Sequence, residues 1–135
     1  MKERLVRLGP LMVGCVLLAT AALASGRDGR PVTPEAQYET RCGWFSNPTP
    51  ANASLHDREA EWIIGVQGGH QAEGDWPSFG PKQWVETNGH YGHGCACMSV
   101  EVDRESQKVL EIKSARARPL SACRRDKALK RWGFK

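Results

Sequence analysis

The side chains best suited to chemistry are concentrated in one short segment of this sequence, with the pattern H-x-x-H-x-C-x-C. Its four members are His90, His93, Cys95 and Cys97. Imidazole nitrogens and thiolates are ligands of zinc and copper, so metal handling through these residues is one hypothesis. The histidines lie in a glycine-rich stretch that predicts a loop, and thiols outside the cytoplasm become oxidised. We therefore expect no cofactor and no metal, and keep the metal site as an alternative.

Disulfide formation is the favoured use of the cysteines. Four remain once the N-terminal segment is set aside: Cys42, Cys95, Cys97 and Cys123. An even number of cysteines in a small exported domain predicts a disulfide framework. A bridge between Cys95 and Cys97 is disfavoured, because residues two apart on a strand are separated by about 6.6 Å and close almost no loop. The two remaining pairings stay open, and each connects the central Cys-Ala-Cys to both distant cysteines.

Tryptophans beside polar residues are the second group of candidate binding residues. Trp44, Trp76 and Trp84 lie near Gly, Pro, Asn and Asp, and Asp75 directly precedes Trp76. An aromatic ring with a neighbouring carboxylate can hold a sugar ring, and the same residues can anchor a protein–protein interface. The alternative is that they form the core of a small domain, since aromatic side chains bury a large area. Trp62, which lies in an apolar run, is expected in the core.

Catalytic motifs are absent from the sequence. It contains no G-x-S-x-G elbow, no H-E-x-x-H helix and no P-loop. The carboxylates of Glu73 and Asp75, or of Glu59 and Glu61, are close in sequence, but glycoside hydrolysis also requires a substrate cleft. We therefore expect that the protein is not an enzyme.

The N-terminus has the three parts of a cleavable signal peptide, assigned to residues 1–24. Basic residues precede an apolar run of 13 residues, from Leu11 to Leu23, and Ala22-Leu23-Ala24 supplies a small-x-small cleavage site. The run is too short for a bilayer core, which needs about 20 apolar residues. Lipidation at Cys15 is disfavoured, because further apolar residues follow it. We expect a periplasmic or secreted protein without a transmembrane segment after cleavage.

Charge is distributed unevenly along the chain. Residues 25–103 contain 5 basic and 11 acidic side chains, whereas residues 104–135 contain 11 basic and 3 acidic ones. One hypothesis is that the basic part meets anionic lipid, lipopolysaccharide or an acidic protein. The favoured interpretation is that the two parts neutralise each other or that the tail is simply solvated. The small net charge of the exported chain argues against binding of nucleic acid.

Residue periodicity predicts a mainly β fold with little helix outside the signal peptide. We expect a leader over residues 25–37, one β-rich domain over 38–125 and a basic tail over 126–135. The clearest element is a hairpin, in which residues 96–102 alternate in polarity, residues 103–106 turn and residues 108–115 return. On this register Cys95 and Cys97 share the face opposite Met98 and Val100.

The remaining chain predicts shorter strands. We expect one at residues 41–46 that ends at Asn47-Pro48-Thr49-Pro50, a hairpin of residues 53–56 and 61–66, and a possible strand at 83–87. Residues 67–81 predict an ordered loop, and residues 126–132 a helical turn or a frayed end. The result is a small disulfide-stapled antiparallel sheet, sandwich or partial barrel.

Three motifs carry a resemblance to a known family. They are Arg41-Cys42-Gly43-Trp44-Phe45-Ser46-Asn47-Pro48-Thr49-Pro50, Trp62-Ile63-Ile64-Gly65-Val66-Gln67-Gly68-Gly69 and Gly94-Cys95-Ala96-Cys97. With them the chain resembles, over about residues 40–125, a group of small exported proteins, chiefly of Gram-negative bacteria, known as a domain of unknown function. The resemblance implies a bacterial, periplasmic setting and no particular activity.

The sequence thus predicts a monomeric, exported, non-enzymatic binding protein, with an envelope-protein ligand or inhibitor as the favoured function. Its partner is an unknown envelope protein or a glycan. A module that binds glycan or peptidoglycan is the first alternative, and metal handling by His90, His93, Cys95 and Cys97 is the second.

Overall fold

The computed structural model describes residues 35–135. The predicted signal peptide, Cys15 and most of the predicted leader therefore lie outside the described residues. Within them, seven strands are followed by two short helices. They are β1 (Glu39–Thr49), β2 (Asn52–His56), β3 (Glu61–Gly65), β4 (Glu73–Gly74), β5 (Trp84–Asn88), β6 (Tyr91–Asp103), β7 (Lys108–Arg118), α1 (Leu120–Arg125) and a 3₁₀ helix (Lys127–Trp132).

Five of the strands close into a small barrel, which confirms the mainly β prediction and its partial-barrel version. Strand β1 pairs antiparallel with both β2 and β6, β2 pairs with β3, and β6 pairs with β7. A short parallel contact between β3 and β7, at Ile63 and Lys108, completes the ring. This is the Greek-key strand order of the OB-fold, a partly open five-stranded barrel. The parallel pairings of β7 with β3 and β4 were not predicted.

The barrel interior is filled by the inward-facing residues of the alternating strands. On β6, Ala96, Met98 and Val100 are essentially inaccessible to solvent. The other main members of this core are Phe45, Leu55, Trp62, Ile64, Val109 and Ile112. Because successive side chains on a strand point to opposite faces, Cys95 and Cys97 lie on the outside of β6, as the sequence predicts.

A second, smaller core lies outside the barrel. It contains Trp44, Cys95, Cys123 and Leu129, with Trp132 and Phe134 packed against it. The helices over residues 120–132 are thus held on the sheet by their apolar side. The prediction of a helical turn within residues 126–132 is confirmed.

Two sequence predictions about strand ends are wrong. Strand β1 continues to Thr49 instead of ending at Ser46, because Pro48 lies where the β1–β2 register is irregular and no ladder hydrogen bond from its nitrogen is needed. The glycine-rich stretch before Cys95 is not a loop throughout, since β6 begins at Tyr91. Glycine is required there because a Cβ at Gly94 would collide with the Phe79 ring and the Gln83 carbonyl.

Both predicted hairpins are present, and an aspartate organises each turn. Between β2 and β3, Oδ1 of Asp57 accepts hydrogen bonds from the backbone N–H groups of Glu59 and Ala60, at 2.7 and 2.8 Å. Between β6 and β7, Oδ1 of Asp103 accepts from the N–H groups of Glu105 and Ser106. These Asx-type contacts explain why short polar segments end the strands at these positions.

Candidate functional site

All four predicted cysteines form disulfides, and the structure settles the pairing that the sequence left open. Cys42 is bonded to Cys97, its direct cross-strand partner on β1 and β6, and Cys95 is bonded to Cys123 of α1. The central Cys-Ala-Cys is therefore tied to both distant cysteines, as expected. Two disulfides indicate an oxidising, non-cytoplasmic location. Within residues 35–135, no helix has the length and apolarity needed to cross a membrane.

The four residues of the metal alternative have different surroundings and do not form a common ligand set. Cys95 and Cys97 are both in disulfides, so neither offers a thiolate. His90 is exposed beside the Tyr91 ring, whereas His93 is buried with its ring edge-on to Trp44 at 5.4 Å. In the described part of the chain, no three His, Cys, Asp or Glu side chains are grouped as metal ligands.

The candidate binding tryptophans are divided between two sides of the sheet. Trp44 is 1% exposed and packs outside the barrel against Phe134, with ring centroids 5.6 Å apart. Trp76 and Trp84 are half-buried on the other side and both pack on Phe45, at 5.7 and 6.3 Å. The structure therefore brings Trp76 and Trp84 together and separates Trp44 from them.

Asp75 is exposed directly before Trp76. Trp76 and Trp84 are half-buried against the barrel core, and Trp62 lies within that core at 2% exposure, as predicted. Within residues 35–135, Trp76 and Trp84 thus contribute to the core, which is the alternative that the sequence left open for these tryptophans.

A buried ion pair that the sequence did not predict lies at the β1–β2 side of the barrel. Arg41 and Asp57 are each 5% exposed and form a direct salt bridge. Oδ2 of Asp57 also accepts a hydrogen bond from the Trp62 indole N–H at 3.0 Å, and the Arg41 guanidinium lies 3.8 Å from the centre of the Trp62 ring. The backbone carbonyl of Asp57 accepts from the Trp132 indole N–H at 2.8 Å.

Carboxylates at the rim complete this network. The Arg41 guanidinium donates to Glu39 at 2.8 Å and to Glu59 at 3.0 Å, and Arg104 donates to Glu39 at 2.6 Å. The polar Asp57-Arg58-Glu59 turn was visible in the sequence, but nothing in it indicated a buried arginine on another strand as its partner. Every donor and acceptor named here is paired, so we interpret the network as structural. It connects β1, the β2–β3 turn and the C-terminal segment (residues 119–135).

The basic residues of the C-terminal segment point away from the sheet. Arg124, Arg125, Lys127, Lys130 and Arg131 are all exposed, and we refer to these five as the basic surface. None of them pairs with a carboxylate of the described residues, because the segment's own Asp126 is bonded to Arg58. The predicted neutralisation of the basic part by the acidic part occurs at Arg104, which pairs with Glu39 and Glu59. The basic surface instead agrees with the other half of that prediction, a solvated tail, since its five side chains are exposed.

A groove of about 430 Å³ lies on the outer face of β1 to β3. Ile63, Val66 and Phe134 supply apolar wall, and His56 and Glu61 supply polar groups. The outer face of the second and third strands is where OB-fold barrels commonly hold ligands, but the fold alone does not assign one here.

His56 connects this groove to the C-terminal segment. Its ring lies 5.0 Å from the Trp132 ring and 4.9 Å from the Phe134 ring, and its Nδ1 is buried with no hydrogen-bond partner among the described residues. Burial lowers the pKa of His56, while the Glu61 carboxylate, 3.9 Å away, opposes the shift. The neutral imidazole is therefore the form that fits the folded protein.

Lowering the pH is expected to destabilise the protein through His56. Below pH 6.5, the ordinary pKa of histidine, the unfolded chain binds a proton that the folded chain binds only at lower pH, so the free energy of unfolding decreases as the pH falls. Urea unfolding between pH 8 and 5 measures this, and His56→Leu is expected to flatten the dependence. The exposed His90→Leu is the matched control, and equal slopes for wild type and His56→Leu would contradict the assignment.

Comparison with known proteins identifies a family. A family model described as "Protein of unknown function (DUF4087)" matches residues 36–130. No curated protein and no solved structure matches the chain. The matched residues include all seven strands, both disulfides and most of the basic surface.

Proposed function

The chain belongs to this DUF4087 family of proteins of unknown function, and from that premise we propose that it is an exported, non-enzymatic binding protein that docks through its basic surface onto an acidic surface of an envelope protein. The family match bears out the expectation of an uncharacterised family. Export, a Gram-negative source and the partner are parts of the proposal. The observation that carries it is the set of five exposed cations on one short folded segment, none of which forms a salt bridge with a carboxylate of residues 35–135.

The first support for the proposal is that the C-terminal segment is fixed to the barrel by several contacts. Cys123 is bonded to Cys95 of β6, and Leu129 is 3% exposed in the outer core. The Trp132 indole N–H donates to the Asp57 carbonyl at 2.8 Å. Because three separate contacts fix the backbone between residues 123 and 132, the basic surface has a defined shape, and a complementary surface can be recognised at a lower cost in conformational entropy.

A protein partner is favoured over a lipid surface by the direction of the apolar side chains. Amphipathic segments that lie on membranes insert leucine, phenylalanine or tryptophan beside their basic residues. Here Leu129 is buried, and Trp132 and Phe134 are half-buried against the sheet, so none of the three is a fully exposed apolar side chain beside the cations. Attraction to a bilayer would then rest on charge alone, whereas charge complementarity between two proteins gives specificity and a fast association rate.

The groove beside the basic surface extends the proposed interface. Phe134 belongs to the C-terminal segment and also lines the groove, where Val66 is 42% exposed. An acidic partner docked on the basic surface would therefore have an apolar recess within reach. An interface of this kind, with an apolar centre and a charged rim, is typical of specific complexes.

The test removes three charges from the basic surface and compares the result with a matched variant. The variant Arg124→Gln/Lys130→Gln/Arg131→Gln is paired with Lys82→Gln/Lys108→Gln/Lys113→Gln, which has the same change in net charge elsewhere on the domain. Each protein is immobilised and exposed to an envelope extract, and bound proteins are quantified by mass spectrometry at two salt concentrations.

We expect one or a few acidic envelope proteins to bind wild type and the control variant, and to be lost from the basic-surface variant by at least about tenfold, corresponding to about 1.4 kcal/mol. Binding should weaken at higher salt, because exposed charges are screened. Equal capture by both variants would contradict the proposal. Capture of peptidoglycan fragments with a shift in tryptophan fluorescence would instead support the glycan alternative through Trp76, Trp84 and Asp75.

A further inference from the structure

The two disulfides lie side by side but in different surroundings. Both border one shallow recess of about 180 Å³, together with Arg118. Cys95 and Cys123 are each 3% exposed and belong to the outer core. Cys42, in contrast, is an exposed residue, and its partner Cys97 is 7% exposed. Cys42 therefore presents surface to a thiolate from solvent in the folded protein, whereas Cys95 and Cys123 present almost none.

A positive charge stands at the inner sulfur of the exposed bridge. The Arg118 guanidinium lies 3.8 Å from Sγ of Cys97, and Arg116 is the residue paired with Cys97 across the β6–β7 ladder. A cation beside a sulfur favours its thiolate form, and a sulfur that forms a stable thiolate leaves faster in exchange. One sulfur of this bond, that of Cys42, thus belongs to an exposed residue, and the other, that of Cys97, lies beside a cation that would stabilise its thiolate.

We propose that the Cys42–Cys97 disulfide is a thiol–disulfide exchange site for a protein dithiol of the envelope, with Cys42 as the attacked sulfur and Cys97 as the leaving thiolate beside Arg118. The Cys95–Cys123 bridge is then the structural disulfide that keeps the C-terminal segment in place during exchange. This inference stands on other residues than the basic surface and does not depend on the proposed function.

The exchange balances in two steps. A thiolate of the dithiol attacks Sγ of Cys42, forms a mixed disulfide and releases the Cys97 thiolate. The second thiol of the dithiol, as its thiolate, then attacks the partner sulfur of the mixed disulfide and releases the Cys42 thiolate. Two electrons and the two protons of the dithiol pass to Cys42 and Cys97, and the partner becomes a disulfide. In the reverse sequence, the reduced Cys42 and Cys97 pass two electrons and two protons to a disulfide of the partner and form their own bridge again.

The sheet favours re-formation of the Cys42–Cys97 disulfide after reduction. Cys42 and Cys97 are opposite each other in the β1–β6 ladder, which is paired without interruption from Glu39 to Asn47. The ladder keeps the two thiols adjacent after reduction, so that reoxidation does not require a search among four cysteines. A disulfide that is opened and closed repeatedly needs such a template.

The experiment titrates the full exported chain, purified in its oxidised form, with dithiothreitol under native conditions. Samples are quenched with acid, alkylated and mapped by mass spectrometry, while circular dichroism follows the fold. We expect Cys42 and Cys97 to be labelled at least about tenfold faster than Cys95 and Cys123, because the buried pair must wait for local opening. Removal of the dithiol should restore the Cys42–Cys97 pair. Simultaneous labelling of all four cysteines, or earlier labelling of Cys95 and Cys123, would overturn the proposal.

Variants at Arg118 test the role of the charge. Arg118→Gln is expected to slow reduction of Cys42–Cys97 by about threefold, because the leaving Cys97 thiolate loses the cation beside its sulfur. Arg118→Lys, which keeps the charge, should stay closer to wild type than to Arg118→Gln. Arg125→Gln is the control, since it removes the same charge from α1, where it makes no hydrogen bond to either disulfide. Equal rates for Arg118→Gln and Arg125→Gln, or equal slowing by both Arg118 variants, would refute the assignment of Arg118.

Discussion

Removing the buried bridge, as Cys95→Ser/Cys123→Ser, is expected to lower the free energy of unfolding by about 3.5 kcal/mol and to loosen the C-terminal segment. The bridge joins residues 28 apart, and the chain-entropy model gives this value for a loop of that length. The segment should loosen because Cys123 is also part of the outer core with Trp44 and Leu129. Urea unfolding measures the first effect, and hydrogen exchange of residues 120–132 measures the second.

The exposed bridge is the matched control for this experiment. Cys42→Ser/Cys97→Ser opens a loop of 55 residues and is expected to cost a similar amount, about 4 kcal/mol. Its two residues remain paired in the β1–β6 ladder, however, so protection of residues 120–132 against exchange should be unchanged. If both double variants lost protection there equally, the assignment of Cys95–Cys123 as the anchor of the C-terminal segment would be wrong.

Replacing Asp57 by alanine is expected to lower the free energy of unfolding by about 3–5 kcal/mol, the range for breaking a buried ion pair from one side. The Arg41 guanidinium would lose its buried partner, and the Trp62 indole N–H would lose its acceptor. The β2–β3 turn would also lose the acceptor of the Glu59 and Ala60 N–H groups. Chemical denaturation of the oxidised protein gives the value.

Glu59→Ala is the control for loss of a carboxylate partner of Arg41 without loss of a buried charge. Its carboxylate binds the same Arg41 at 3.0 Å, but its side chain is 61% exposed. Because solvent screens such a pair, Glu59→Ala should cost below about 1 kcal/mol. A loss for Asp57→Ala as small as the loss for Glu59→Ala would show that burial does not set the strength of this network.

The sequence predicts the strands well where local periodicity determines them. The alternation from Ala96 to Val102 and the polar turn at residues 103–106 identify the β6–β7 hairpin, and the four-residue segment 57–60 identifies the β2–β3 turn. It fails at Pro48 and in the stretch before Cys95, where tertiary contacts decide. A shift in the β1–β2 register accommodates the proline in β1, and the close approach of Phe79 requires glycine at position 94 of β6.

The candidate site was predicted less completely, because its contacts join residues that are far apart in the sequence. The identity of the bonded cysteines follows from composition, but their pairing depends on which strand lies beside β6, and that is a long-range property. The Arg41–Asp57 pair is missed for the same cause, since its members are 16 residues apart on different elements. Trp44 was considered for a binding surface because its neighbours are polar, yet the C-terminal segment covers it.

The disulfides, the outer core and the basic surface form one connected arrangement. Cys123 and Leu129 attach the C-terminal segment to the barrel on one side, and the cations of the basic surface occupy the other side. Basic residues in the last turn of α1 and of the 3₁₀ helix also favour helix formation through the helix dipole. Four of the five cations of the basic surface stand in these last turns, so helix stabilisation and the proposed docking onto an acidic partner would use the same side chains.

Photocrosslinking in intact bacterial cells that express the full chain tests the proposed function most directly. A photoreactive phenylalanine analogue is placed at position 125, in the basic surface, or at position 82, away from it. The account predicts a covalent product with one acidic envelope protein from position 125 and none from position 82. Products from position 82 alone, lipid adducts from position 125, or no product at either position would contradict the assignment of the basic surface as a protein-docking site.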